Sequence, residues 1–280
     1  MSVSFHLCQP GRGASCGACC GLYNFRDHSR AALTERLATQ TDTFRPLPRQ
    51  PGAWRSAALS LLEARAATPP LFPVVRVCPL LGFLDAEHTR VGCLGHPKVT
   101  GGVDLRDCGV YHAELCETFT CPSFTWLTDA QARLVQAACA DWYLYGLVLT
   151  DVEFVRGCLR LLEWELAGPV DPHVLSQHPE ALQAVHHLFA LKETAPGRDP
   201  HAAVFGRFIP DTEGEPFSRT LDYAALGARA APEDDVVLCL GYAPASLESL
   251  TRARALVREH IGAVARALTP VQPREKDSVS

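Results

Sequence analysis

Apolar positions recur at helical spacing over most of the chain. Between Ser29 and Thr41, Leu33 and Leu37 share one face, and Asp27 or Ser29 is suited to cap the helix. Trp54 to Ala67 carries Leu59, Leu61 and Leu62 and stops before Pro69-Pro70. The turn-rich connector Arg45–Gly52 separates it from the first helix. Phe72 to Leu84 is apolar and partly β-branched, which predicts a short strand or hairpin with Val91-Gly-Cys-Leu94 as the returning arm. From Gly95 to Pro122 the chain is dense in Gly, Pro, Asp and Cys, with at most a short helix around Tyr111–Glu117.

After Thr125 the pattern changes. Thr128 is placed to cap a long helix from Asp129 to about Leu149, with Leu134, Ala138, Trp142 and Tyr145 inward. Further helices are expected over Asp151–Ala167, from His178-Pro179 to about Lys192, and over Ser246–Leu268. A loop-rich stretch, Pro196–Glu215, surrounds Val204–Ile209. The expected fold is mainly α, with a small irregular and β cysteine-rich N-terminal module, either as one compact unit or as two closely docked domains. The divisions are 1–125, a helical domain over 126–268 and a flexible tail over 269–280. Trp126, Trp142 and Trp164 are read as packing residues. Asp151, Glu153, Glu163 and Glu165 are read as charged helix faces rather than a paired acid/base site. His186 and His187, being adjacent on a helix, face different sides.

Composition narrows the function classes. Apolar residues make up 47% of the 280, enough for a sizeable core, and the formal net charge is −5, so no basic surface for nucleic acid is expected. The first residues lack a basic and an apolar signal region. The longest apolar run, Trp142–Leu149, is too short to span a bilayer, so a cytoplasmic protein without membrane contact is expected. Neither a phosphate-binding loop nor a nucleophile elbow occurs, and Gly11-Arg-Gly13 reads as a turn.

The chemistry lies in the cysteines. Nine of the twelve fall within the first 121 residues: Cys8, Cys16, Cys19, Cys20, Cys78, Cys93, Cys108, Cys116 and Cys121. Cys16 and Cys19 have the spacing that lets two sulfurs of a tight turn meet one ion, and Gly17 permits the bend. Adjacent Cys19 and Cys20 project in different directions, so they either serve different sites or divide between binding and packing. In a reducing compartment such a set favours metal or redox use over disulfides. Nine sulfurs and the nearby His96 would supply two four-ligand sites, or one cluster with supporting thiols. Cys139, Cys158 and Cys239 sit in apolar surroundings and are expected in the core.

The pattern Phe5-x-x-Cys8, Cys16-Gly-x-Cys19-Cys20, Cys78-Pro-Leu-Leu81, Cys93-x-x-His96-Pro97, Cys116 and Cys121 resembles the YkgJ-type cysteine-cluster family over residues 5–125. That resemblance implies a zinc- or iron-chelating domain with ligands Cys8, Cys16, Cys19, Cys20, Cys78, Cys93, Cys116 and Cys121. Seven residues separate Cys8 from Cys16 where the family usually has two, which leaves Cys8 open to a different site. Cys108 is a ninth cysteine, and Arg106-Asp107 stands where the family has an arginine-proline element. Flagellin lysine methylases are similar to this family in their cysteine cluster, which is of the iron–sulfur type, and this tilts the expectation slightly towards iron over zinc. The expected function is metal binding through these thiolates. The alternatives are a cluster-dependent enzyme modifying a protein or peptide side chain, methylase-like, and a thiol redox switch. The expected partner is the metal ion or cluster, with a protein or peptide as a further candidate.

Overall fold

A computed structural model describes residues 3–11, 13–197 and 206–268. The tail expected over 269–280 and the 198–205 part of the loop-rich stretch lie outside the described residues. The fold is mainly helical, with two small antiparallel hairpins. Helix α1 spans Arg30–Phe44, and the Ser29 hydroxyl accepts from the Ala32 amide at its start. Helix α2, Pro51–Arg65, begins three residues before Trp54, because Pro51 is preset for a first helical turn. Strands β1, Leu81–Phe83, and β2, Val91–Cys93, pair with Leu81 opposite Cys93. The segment before Leu81 forms turns rather than strand. Short helices α3 (Pro97–Thr100), α4 (Ala113–Thr118) and α5 (Pro122–Trp126) punctuate the cysteine-rich stretch.

The long helix expected from Asp129 is two helices, α6 (Asp129–Ala138) and α7 (Trp142–Leu149). Asp141 causes the break. Its carboxylate accepts from the amides of Tyr143 and Leu144 as a new N-cap, and it pairs with Arg30 at 2.7 Å. The chain continues through α8 (Val152–Glu165), α9 (Pro172–Gln177) and α10 (Pro179–Thr194). A hairpin of β3 (Phe208–Pro210) and β4 (Pro216–Ser218) follows, then α11 (Tyr223–Leu226), α12 (Asp234–Cys239) and α13 (Leu247–Leu268). Helix α10 packs along α13, and α8 packs on both α12 and α13. No helix among the described residues is long and apolar enough to cross a membrane.

One continuous apolar core joins Val3, Leu7, Tyr23, Leu33 and Phe83 of the N-terminal half to α6, α7, α8, α10 and α13. All eight residues of α7 are buried. Burial on every side leaves its tyrosine hydroxyls to be satisfied by protein groups, and the N-terminal segment supplies or receives each bond. Tyr145 donates to the Leu7 carbonyl at 2.8 Å, Tyr143 to His28 at 2.9 Å, and Tyr23 reaches back to the Tyr143 carbonyl at 2.9 Å. Arg30 adds a fork to Glu193 of α10, with contacts of 2.8 and 2.7 Å.

Two expectations about side chains are corrected. Trp142 is buried, but Trp126 and Trp164 are 54% and 66% exposed, because each lies on the outer side of its short or amphipathic helix. Asp151 does not belong to a solvated helix face. It is buried, caps α8 through the Phe154 amide, and pairs with buried Lys192 at 2.7 Å.

Gly146 has no room for a side chain, since an added Cβ would lie 2.1 Å from the Tyr23 hydroxyl oxygen. Gly146→Ala is therefore expected to cost about 1–3 kcal/mol in denaturant unfolding, despite the better helix propensity of alanine. Adding Tyr23→Phe should recover part of that loss. Lys192→Met strands the Asp151 carboxylate, so a loss of about 3–5 kcal/mol is expected, and pairing it with Asp151→Asn should restore much of it.

Candidate metal centre

Four chain segments carry the sulfurs. The first is a strap, residues 6–20, closed by the Cys16 amide donating to the Cys8 carbonyl at 3.0 Å. Its tip turns at Gly11, whose carbonyl accepts from the Ala14 amide at 3.2 Å. Gly13, at φ +83°, lies so close to the Ala140 carbonyl that a Cβ would approach it to 2.5 Å. A 3₁₀ turn, Ala18–Cys20, then presents Cys19 and Cys20. The second segment reaches Cys78, whose amide donates to the Cys20 carbonyl at 2.9 Å. The Gln40 side chain of α1 fixes the same place by donating to the carbonyls of Cys78 and Pro79 at 3.3 and 2.8 Å. Cys93 closes β2 as the third segment. Cys116 on α4 and Cys121 before α5 form the fourth.

The eight sulfurs lie close enough to feel one another's charge, with Cys19 in the middle of the set. Cys8 shares a hydrogen bond with Cys19 and lies within reach of the charges of Cys16 and Cys121. Cys16 in turn feels Cys19 and Cys121. Cys20 feels Cys19, Cys78 and Cys93, Cys93 feels Cys78 and Cys116, and Cys78 and Cys116 each also feel Cys19. Cys19, hydrogen-bonded to both Cys8 and Cys20, therefore links the two ends of the set. All twelve cysteines are free thiols. Cys16 and Cys78 are buried, and Cys19 and Cys116 are exposed.

Crowding divides the charge unevenly. Hydrogen bonds from Cys20 and Cys8 hold the Cys19 thiol down to about 3, so it is the thiolate of its neighbourhood. The same contacts push Cys8 and Cys20 well up, with burial adding to both. Burial raises Cys16, and burial followed by the neighbouring Cys78 pushes Cys93 up to about 12. Cys78 and Cys116 are also raised by burial. A cation taken up here would displace protons from most of its ligands.

The remaining candidates stand apart. His96 caps α3, its Nδ1 accepting from the Lys98 amide at 3.1 Å, and its charged neighbours are led by Arg106 and Lys98. Cys108 donates to the Pro51 carbonyl at 3.5 Å within a second small apolar cluster built on Phe44, Trp54 and Leu80. Arg106, held above its ordinary value chiefly by Asp104, is also close enough to feel Cys116. Cys139, Cys158 and Cys239 are buried in the main core. Two tyrosines border the sulfurs with no local sequence signal to mark them: Tyr145 lies near Cys8, Cys16 and Cys121, and Tyr111 near Cys19, Cys20 and Cys78.

Among the described residues, no three His, Cys, Asp or Glu side chains are arranged to hold a metal ion. The sulfurs are gathered without being closed around one point. Their chemistry nonetheless suits a soft cation: free thiols, partly shielded from water. No family model, curated protein or solved structure matches this chain.

Exposure gives an order of reactivity. In metal-free protein, limited alkylation followed by peptide mass spectrometry should label Cys116 and Cys19 ahead of the buried thiols. Cys139, Cys158 and Cys239 should react only after unfolding.

Proposed function

We propose that this is a metal-binding protein whose thiols Cys8, Cys16, Cys19, Cys20, Cys78, Cys93, Cys116 and Cys121 hold an iron–sulfur cluster or zinc. The observation that carries the reading is the convergence of eight free thiols from four chain segments, close enough to perturb one another. Four thiolates are the donor count of structural zinc and of common iron–sulfur clusters. In this reading the strap residues Cys8, Cys16 and Cys19 act with Cys121, while Cys20 acts with Cys78, Cys93 and Cys116. The resemblance to the YkgJ-type family supports the same eight residues and favours iron slightly.

A bound metal would supply either a crosslink between the strap and the segments around Cys78 and Cys116, or electron transfer if the group is a cluster. The chain's own part is to hold the sulfurs in place through Gln40 and the backbone pairs Cys8–Cys16 and Cys20–Cys78. A second reading, a thiol redox switch, is supported by the hydrogen-bonded Cys8 and Cys19 and by the thiolate character of Cys19.

Purification without oxygen, with metal and sulfide analysis, separates the two. Bound iron with sulfide, or bound zinc, is the expected result, and Cys121→Ser and Cys116→Ser should each remove about half of it if each group holds one centre. Protein that stays metal-free after incubation with iron, sulfide and zinc would sink the proposal. If its thiols then cycle between oxidised and reduced forms, the switch replaces it.

A further inference from the structure

A cleft of about 410 Å³ lies between α1 and α2, and Arg36 of α1 and Arg65 of α2 both line it. These two guanidinium groups have donors left over where other arginines of the fold are engaged, Arg156 and Arg219 on backbone carbonyls. Arg30, Arg106, Arg207 and Arg254 each close on a carboxylate at 2.6–2.7 Å. Arg36 and Arg65 form no ion pair among the described residues, and the buried Arg36 Nε and Arg65 Nη1 have no hydrogen-bond partner. Burial and the like charge of Arg36 both act against the Arg65 cation. Two cations are thus held beside each other, part-buried, with donors left over.

The surroundings fix the groups in place without satisfying them. The Arg36 guanidinium carbon lies 4.3 Å from the centre of the buried Phe25 ring, and that of Arg65 lies 6.0 Å from the same ring. A shared aromatic floor orients both forks and limits their freedom to leave. Asp27 and Glu35 line the cleft too, yet neither pairs with an arginine. The Asp27 carboxylate is instead engaged by the Ser29 amide at 3.1 Å.

We propose that this cleft binds a small molecule through a carboxylate or phosphate group, held between the guanidinium groups of Arg36 and Arg65 over Phe25. Guanidinium forks match the paired oxygens of both anions, and such bonds are among the strongest available to a protein. The cleft has the volume of a small-ligand pocket. Asp27 and Glu35 repel an extended polyanion, so one compact anionic group is favoured over a nucleic-acid backbone. No sulfur takes part in the recognition, although Arg65 lies close enough to Cys78 to feel its charge.

Calorimetric titration of the full chain at constant ionic strength tests it, with inorganic phosphate and succinate as separate probes. Saturable binding of either supports the site, and the tighter probe identifies the anion class. Arg36→Gln and Arg65→Gln should each weaken binding about tenfold or more, and Arg252→Gln on exposed α13 should leave it unchanged. Cys116→Ser, which disturbs the sulfurs alone, should also bind normally. Should a variant fail to fold, phenylglyoxal modification of the unaltered protein is the second measurement. A bound probe should slow modification of Arg36 and Arg65 but not of Arg252. Absence of saturable binding for both probes, equal affinity in the Arg36 and Arg65 variants, or equal modification with and without probe overturns the proposal.

Discussion

Everything at the N-terminal end depends on burying α7 completely. A helix hidden on all sides cannot leave a phenol hydroxyl in water, so Tyr143 and Tyr145 must find acceptors in the protein. Those acceptors are the carbonyls of His28 and Leu7, and Tyr23 returns the favour to the α7 backbone. The strap carrying Cys8 to Cys20 is therefore fixed by bonds at both of its flanks. Gly146 is the matching concession in α7, because only a glycine lets the Tyr23 ring approach so closely. Arg30 ties the same neighbourhood to α10 through Asp141 and Glu193.

On that fixed strap the sulfurs repel one another as anions and are stabilised as hydrogen-bond donors. The result is a Cys19 thiol drawn down beside neighbours pushed up. The 3₁₀ turn at Ala18–Cys20 is the element that carries Cys19 and Cys20. Cys121 then joins the strap while Cys116, on the preceding short helix, turns towards Cys78 and Cys93.

Much of this was legible in the residues. Ser29, Thr128, Asp151 and His178 all cap the helices expected at those places, because a short polar side chain ahead of an apolar period is a local signal. The hairpin of Leu81–Phe83 with Val91–Cys93 was legible for a similar reason. The α6–α7 break was not, since Cys139-Ala-Asp141 holds neither glycine nor proline and the cap is disguised within an apolar run. Asp151 was misplaced because its partner, Lys192, is 41 residues away. The eight cysteines were marked by the family resemblance, and chain order alone did not show that Cys121 neighbours Cys8 and Cys16 while Cys116 neighbours Cys78 and Cys93. The Arg36–Arg65 cleft left no local trace, as it arises only where two separate helices meet.

The Leu7–Tyr145 and His28–Tyr143 bonds span 138 and 115 residues, so they cannot form until α7 has left the ribosome. At about 5–20 residues per second, the strap waits roughly ten seconds as an untethered segment of free thiols. During synthesis its sulfurs are thus open to oxidants and stray metal ions before α7 is made. The helix that anchors the strap is synthesised more than a hundred residues after it.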